Sequence, residues 1–139
     1  MNSTDQRNVI AQLRETLNGK HVRVLLLEDD PNDAHLTLEV LIKREVQPTW
    51  ARTIEEAKSR INSDDFKIVF LDLKLDSGRS GLELISHIRH TKPDCWVVVL
   101  SGVYTEDSAE CKEALRLGAC AVMLKPLTQE KLQLIFGIP

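Results

Sequence analysis

Three short runs along the chain are almost wholly apolar. Residues His21-Val22-Arg23-Val24-Leu25-Leu26-Leu27 lose all polarity over their last four positions, and Ile68-Val69-Phe70-Leu71 and Cys95-Trp96-Val97-Val98-Val99-Leu100 are continuous from the start. Apolar runs of this length, rich in β-branched residues, predict strands covered on both faces. Residues 119–124 predict a last strand of the same kind. Residues 46–51 form a weaker run containing Pro48. A proline cannot donate to a ladder, so this strand is expected at a sheet edge.

Between the runs the apolar positions change to helical spacing. Val9, Ile10, Leu13 and Leu17 make one narrow stripe, with Ser3 or Thr4 as cap and Asn18-Gly19 as stop. Ala34, Leu38, Leu41 and Ile42 predict one inward face over residues 32–45. Thr53-Ile54-Glu55-Glu56 reads as a capping box opening a helix with Ile54, Ala57 and Ile61 inward. Leu82, Leu84, Ile85 and Ile88 mark a helix over residues 82–91, halted before Pro93. A helix over residues 105–117 is expected to be capped by Thr105 and stopped by Gly118, and Thr128 opens a short last helix to about Phe136.

Strand and helix thus alternate five times after residue 20. That alternation predicts an α/β domain with a parallel sheet covered on both faces by right-handed crossovers. The expected division is a helical extension over residues 1–20 and one domain over residues 21–139. The stripe of the extension is assigned to packing on the domain, with pairing to a second copy in a homodimer as the alternative.

Composition narrows the classes. A length of 139 residues suits one domain, and 42% hydrophobic with 28% charged residues is ordinary for a water-soluble fold. A net charge of −3 gives no electrostatic case for direct nucleic-acid or anionic-membrane binding. No run approaches the ~20 apolar residues of a membrane span, and the polar N-terminus carries no signal-peptide core. Cys95, Cys111 and Cys120 are odd in number and make no CxxC. They read as reduced packing residues, which places the chain in the cytoplasm.

The chemistry gathers where strands end. The first strand runs into Glu28-Asp29-Asp30-Pro31, the central one into Asp72, the next into Ser101-Gly102 and the last into Lys125-Pro126. In a doubly wound parallel sheet these ends share one edge, where ligands bind. Consecutive acids repel one another, a cost that a bound cation relieves. Helix capping by Asp30 or Asn32, with Pro31 in the first turn, explains one of these side chains but not the others. Carboxylates beside an ammonium and a hydroxyl suit Mg²⁺ and a phosphoryl group. Asp72 is then placed as a nucleophile toward phosphorus, with Lys125 and Ser101 beside the phosphoryl oxygens. His87 and His90, three apart on one helix, read as surface residues.

At this point the chain resembles the receiver domain of two-component response regulators. The resemblance spans about residues 21–136. It rests on Val24-Leu25-Leu26-Leu27-Glu28-Asp29-Asp30, Phe70-Leu71-Asp72-Leu73-Lys74-Leu75, Val99-Leu100-Ser101-Gly102, and Ala114-Leu115-Arg116-Leu117-Gly118-Ala119 through Leu124-Lys125-Pro126. It implies a flavodoxin-like sheet in the order 2-1-3-4-5. It implies Asp72 as phosphoacceptor from a histidine kinase or histidine phosphotransfer protein. Mg²⁺ would be held by Glu28, Asp29, Asp72 and the backbone carbonyl of Lys74, with Ser101 as switch hydroxyl and Lys125 as phosphoryl contact. Such a chain is a signalling phosphoacceptor rather than an enzyme acting on a separate substrate. Three positions depart from the family pattern. Asp76 stands where a proline is usual, the loop to Gly81 is one residue longer, and Val122 replaces the switch aromatic.

Two other classes compete. A phosphohydrolase with Asp72 as nucleophile calls for an acid two residues on, and that position is Lys74. A pseudo-receiver acting only as an interaction module would have lost an acid or the lysine, and both are kept.

Overall fold

In the computed structural model five parallel strands form one sheet in the order β2-β1-β3-β4-β5. They are β1 (Arg23–Leu27), β2 (Gln47–Ala51), β3 (Ile68–Asp72), β4 (Trp96–Ser101) and β5 (Ala121–Leu124). Among the described residues six helices accompany them: α1 (Ser3–Leu17), α2 (Pro31–Ile42), α3 (Ile54–Ser63), α4 (Leu82–Thr91), α5 (Ala109–Leu117) and α6 (Gln129–Phe136). The structure describes residues 3–17, 22–44, 46–75, 77–102 and 108–137. Asn18, Gly19, Asp76 and Thr105 lie outside them.

Alternate residues of each strand enter opposite layers, as the pleat requires. Leu25, Leu27, Val69, Leu71, Val97 and Val99 pack with Ile54, Ala57, Ile61, Leu84, Ile85, Ile88, Cys111 and Ala114, so α3, α4 and α5 cover one face. Val24, Leu26, Ile68, Phe70, Val98 and Leu100 pack with Leu13, Leu17, Ala34, Leu41, Leu132 and Ile135, so α1, α2 and α6 cover the other. Helix α1 lies against α6 and touches β5, with Leu13 and Leu17 buried. Pro48 sits on β2, at the sheet edge.

The register brings the strand ends level. Leu27 pairs with Leu71, Asp72 with Leu100 and Ser101 with Leu124. The residues after β1, at the end of β3, at the end of β4 and after β5 therefore open on one edge.

Local predictions are corrected at four places. Ile42 is exposed, because Ala34, Thr37 and Leu41 set the inward face of α2 and Ile42 falls on its flank in the last turn. Helix α5 begins at Ala109, where Ser108 caps it by accepting from the Cys111 amide at 3.2 Å. Strands β4 and β5 start later than the apolar runs do, at Trp96 and Ala121. At α3, Thr53 accepts from the Glu56 amide at 3.0 Å, but Glu56 reaches back to the Arg52 amide rather than to that of Thr53. Only one half of the capping box is formed.

Candidate functional site

Glu28, Asp29, Asp72, Lys74, Ser101 and Lys125, the residues singled out in the sequence, all line one cleft of about 500 Å³ at the C-terminal edge of the sheet. Each is delivered by the end of a strand.

Glu28 follows β1 and is buried, 2% exposed. Its backbone is held on both sides: the amide donates to the Ala51 carbonyl at 3.1 Å, and the carbonyl accepts from the Trp50 indole nitrogen at 2.7 Å. Asp30 is the helix cap. Its carboxylate accepts from the Asn32 amide at 2.8 Å and the Asp33 amide at 3.4 Å, with Pro31 opening α2. That employment separates Asp30 from the other two acids. Glu28, Asp29 and Asp72 each offer a carboxylate oxygen, and these oxygens lie within 4.8 Å of one another.

Asp72 closes β3, and both of its oxygens are engaged. Oδ1 accepts from the Lys74 amide at 3.2 Å, and Oδ2 accepts from Lys125 Nζ at 3.0 Å. The described residues that follow are tied together by backbone hydrogen bonds. Lys74 and Ser80 form an antiparallel bridge, the Gly81 amide donates to the Leu73 carbonyl at 2.8 Å, and Leu73 and Leu75 are buried. Gly78 has φ +87°, a left-handed turn for which glycine is suited. Gly81 sits so close to the Asp72 carbonyl oxygen that a β-carbon there would overlap it. Arg79, in the turn, pairs with Glu55 of α3 and Glu83 of α4.

Ser101 ends β4 and is buried. Its carbonyl accepts from the Lys125 amide at 2.8 Å, which extends the β4–β5 ladder one residue and sets Lys125 beside it. The Lys125–Pro126 peptide bond is cis. The Lys125 ammonium reaches across the cleft to Glu28, to Asp72 and to Asp33 Oδ2 at 3.2 Å. Asp33, in the first turn of α2, was not identified from the sequence. It looked like the usual first-turn acid of a helix, and its spacing from Lys125 carries no local signal.

Burial sets the electrostatics. It pushes the Glu28 carboxyl up to about 7, against the opposing pull of Lys125. Burial alone would lower Lys125, but the carboxylates of Glu28 and Asp72 outweigh it and hold the ammonium above its ordinary value. Five acids and two lysines line the cleft, so negative charge is in excess. Clustered carboxylate oxygens with an excess of negative charge fit a hard divalent cation. Among the described residues this is the one group of three or more such ligands close enough to hold a metal. His87 instead shares a 2.9 Å hydrogen bond with Asn62.

A family model, the response regulator receiver domain, matches residues 24–136. The chain belongs to that family. The receiver is 28% identical over 108 residues to the photosynthetic apparatus regulatory protein RegA of Rhodovulum sulfidophilum, covering 78% of this chain and 57% of the relative. It is 33% identical over 106 residues to RegA of Rhodobacter capsulatus, covering 75% and 55%. It is 26% identical to the response regulator protein PilR of Pseudomonas aeruginosa, covering 80% and 24%. The receiver therefore spans between about a quarter and just over half the length of these relatives.

Among solved structures it resembles a response regulator of Burkholderia pseudomallei with a phosphorylated aspartic acid, calcium ion and citrate. The TM-score is 0.74 at 25% identity, covering 83% of this chain and 66% of that one. It also resembles the beryllofluoride-activated receiver domain dimer of NtrC4, with a TM-score of 0.69 at 28% identity, covering 81% and 92%. The strand order and the two helical layers are those of the CheY-like receiver fold. No helix among the described residues is long and apolar enough to cross a membrane.

Proposed function

We propose that Asp72 of this receiver accepts a phosphoryl group from a phosphohistidine of a histidine kinase or phosphotransfer protein, in a reaction that requires Mg²⁺. The observation that carries this reading is Lys125 Nζ, 3.0 Å from Asp72 Oδ2, in a cleft where Glu28 and Asp29 add two more carboxylates. In the transfer an Asp72 oxygen forms the new bond to phosphorus as the bond from phosphorus to the imidazole nitrogen breaks. The imidazole keeps the electron pair and is left neutral after proton uptake. Lys125 stabilises negative charge on the phosphoryl oxygens, and the Ser101 hydroxyl donates a hydrogen bond to one of them. Residues Glu28, Asp29 and Asp72, with the Lys74 carbonyl, would hold the cation, which supplies charge compensation for the phosphoryl oxygens. The buried, reduced state of the described cysteines fits the proposed cytoplasmic location.

The test is incubation with acetyl phosphate or a phosphorylated kinase, with Mg²⁺ and with a chelator. Acid-labile, base-labile phosphate on Asp72 that disappears with the chelator supports the reading. Mg²⁺-independent incorporation, or incorporation at another residue, refutes it.

A further inference from the structure

The ammonium of Lys125 has three N–H donors, and three carboxylates surround it: Glu28, Asp72 at 3.0 Å and Asp33 at 3.2 Å. Two of the three have another task in the proposed reaction. Glu28 belongs to the carboxylate trio that fits a cation, and Asp72 accepts the phosphoryl group. Asp33 has neither task. It lies outside the trio, on α2, whose first turn is fixed by the Asp30 cap. Asp33 also lines a second groove, of about 290 Å³, which shares Gly102 and Lys125 with the main cleft and continues to Pro126.

We propose that Asp33 is a positioning residue that keeps the Lys125 ammonium over Asp72 before and after phosphoryl transfer. The inference rests on the proposed phosphoacceptor role of Asp72 and names a further residue that serves it. The side chain of lysine is a long flexible stem, and its charge is useful only where its tip is held. With Glu28 holding a cation and the Asp72 oxygen carrying phosphorus, two of the ammonium's partners would be otherwise engaged. The third keeps the tip at the α2 side of the cleft and leaves its remaining donors for the phosphoryl oxygens. A carboxylate in the first turn of α2 also suits the positive end of that helix, but the helix would be served by any acid there, pointing anywhere. The contact with Lys125 is additional to it.

Removing Asp33 has two opposed electrostatic consequences. The lysine tip loses an anchor, which lowers the rate of the chemical step. An anionic donor loses a repelling charge, which leaves its binding the same or tighter. The two separate in a saturation curve. With acetyl phosphate as the donor, Asp33→Ala is expected to lower the maximal labelling rate about tenfold, in line with the sensitivity of catalysis to small misplacements. The half-saturating donor concentration should not rise, and Mg²⁺ affinity should stay within about twofold of wild type because Asp33 is not among the ligands. Asp33→Glu should restore most of the rate.

The second readout is the Lys125 side-chain ammonium signal in nitrogen-edited NMR, recorded with Mg²⁺ and beryllofluoride. It should be sharp in the wild type and broadened in Asp33→Ala and in the milder Asp33→Asn. Wild-type labelling rate in Asp33→Ala with an unchanged ammonium signal overturns the inference while leaving the phosphoacceptor assignment intact. A parallel fall in Mg²⁺ affinity overturns it as well, since Asp33 would then be a ligand. A wild type that is not labelled on Asp72 overturns both.

Discussion

The indole nitrogen of Trp50 donates to the main-chain oxygen of Glu28 at 2.7 Å. The edge strand β2 thus holds the residue that opens the acidic site on β1. The ring itself is fixed by the Arg52 guanidinium, 4.4 Å from its centre, and by an edge contact from His35 at 5.5 Å. Trp50→Phe keeps an aromatic ring, a smaller one, and removes the donor. It should destabilise the fold by about 1 kcal/mol, the ordinary value of one hydrogen bond. Because the freed carbonyl belongs to a proposed cation ligand, Mg²⁺ affinity should also fall, by about tenfold, the low end for loss of a supporting contact. Urea unfolding and fluorescence titration of the two forms check both outcomes.

Gly81 is the tight point beneath Asp72. A β-carbon there would press on the Asp72 carbonyl oxygen and lie 2.9 Å from Leu71 Cδ1. The obstacle is backbone, which cannot rotate away. Gly81→Ala should cost about 1–3 kcal/mol, as overpacked sites do. It should also slow Asp72 labelling in the fraction that folds, because β3 must shift to make room. Gly78→Ala is the control: open space surrounds it and only its φ of +87° is strained, so its effect should fall on stability with less change in labelling.

Much of this site was legible in the chain because buried parallel strands are continuous apolar runs. The first polar residue after each run marks the strand's end, and one edge collects them. The order β2-β1-β3-β4-β5 is the one that the resemblance to receivers implies. What stayed hidden depends on contacts between distant residues or on backbone partners. Asp33 and Lys125 are 92 residues apart, and nothing local in either distinguishes that pairing. Trp50 acts through a carbonyl that every residue possesses. Two cap-type residues, Thr105 and Ser108, stand near the start of α5, and local preference alone does not choose between them. Ile42 is exposed because it lies on the flank of the inward face, while Leu41 beside it in the same turn is buried.

Helix α1 lies outside the family match yet contributes to the core. Leu13 is fully buried and Leu17 nearly so. Leu13→Ala should destabilise the protein by about 2–4 kcal/mol, the range for buried leucine truncations. Asp72 labelling of the folded fraction should be unchanged, since α1 packs on α6 and β5 and, among the described residues, supplies none to the cleft. Deleting residues 1–19 should expose the matching apolar surface of α6 and promote self-association. Thermal unfolding and light scattering, each paired with a labelling assay, check these outcomes.

Cys95 and Cys120 should be inert in the native state. Burial pushes Cys95 up to about 11 and Cys120 up to about 12, from an ordinary 9.0. The thiolate is the reactive form, so iodoacetamide at pH 8.5 should modify Cys95 and Cys120 in the folded protein at about a hundredth of their unfolded rate. The folded state keeps protons that the unfolded chain releases above pH 9.0. The stability these thiols contribute is therefore complete below that pH and is lost as pH rises toward 11 and 12. The unfolding free energy from urea titration should fall accordingly between pH 9.0 and 10.5, by about 1 kcal/mol or more.

The central claim is that the Asp72 carboxylate, held by Lys125 among the acids, is the phosphoryl acceptor. The most direct measurement is mass spectrometry of the protein after incubation with acetyl phosphate and Mg²⁺, with borohydride trapping to locate the acyl phosphate. The account predicts a single phosphoryl adduct on Asp72 in the wild type, none in Asp72→Ala, and a strongly reduced yield in Lys125→Ala. A Mg²⁺-dependent adduct that persists in Asp72→Ala would contradict it.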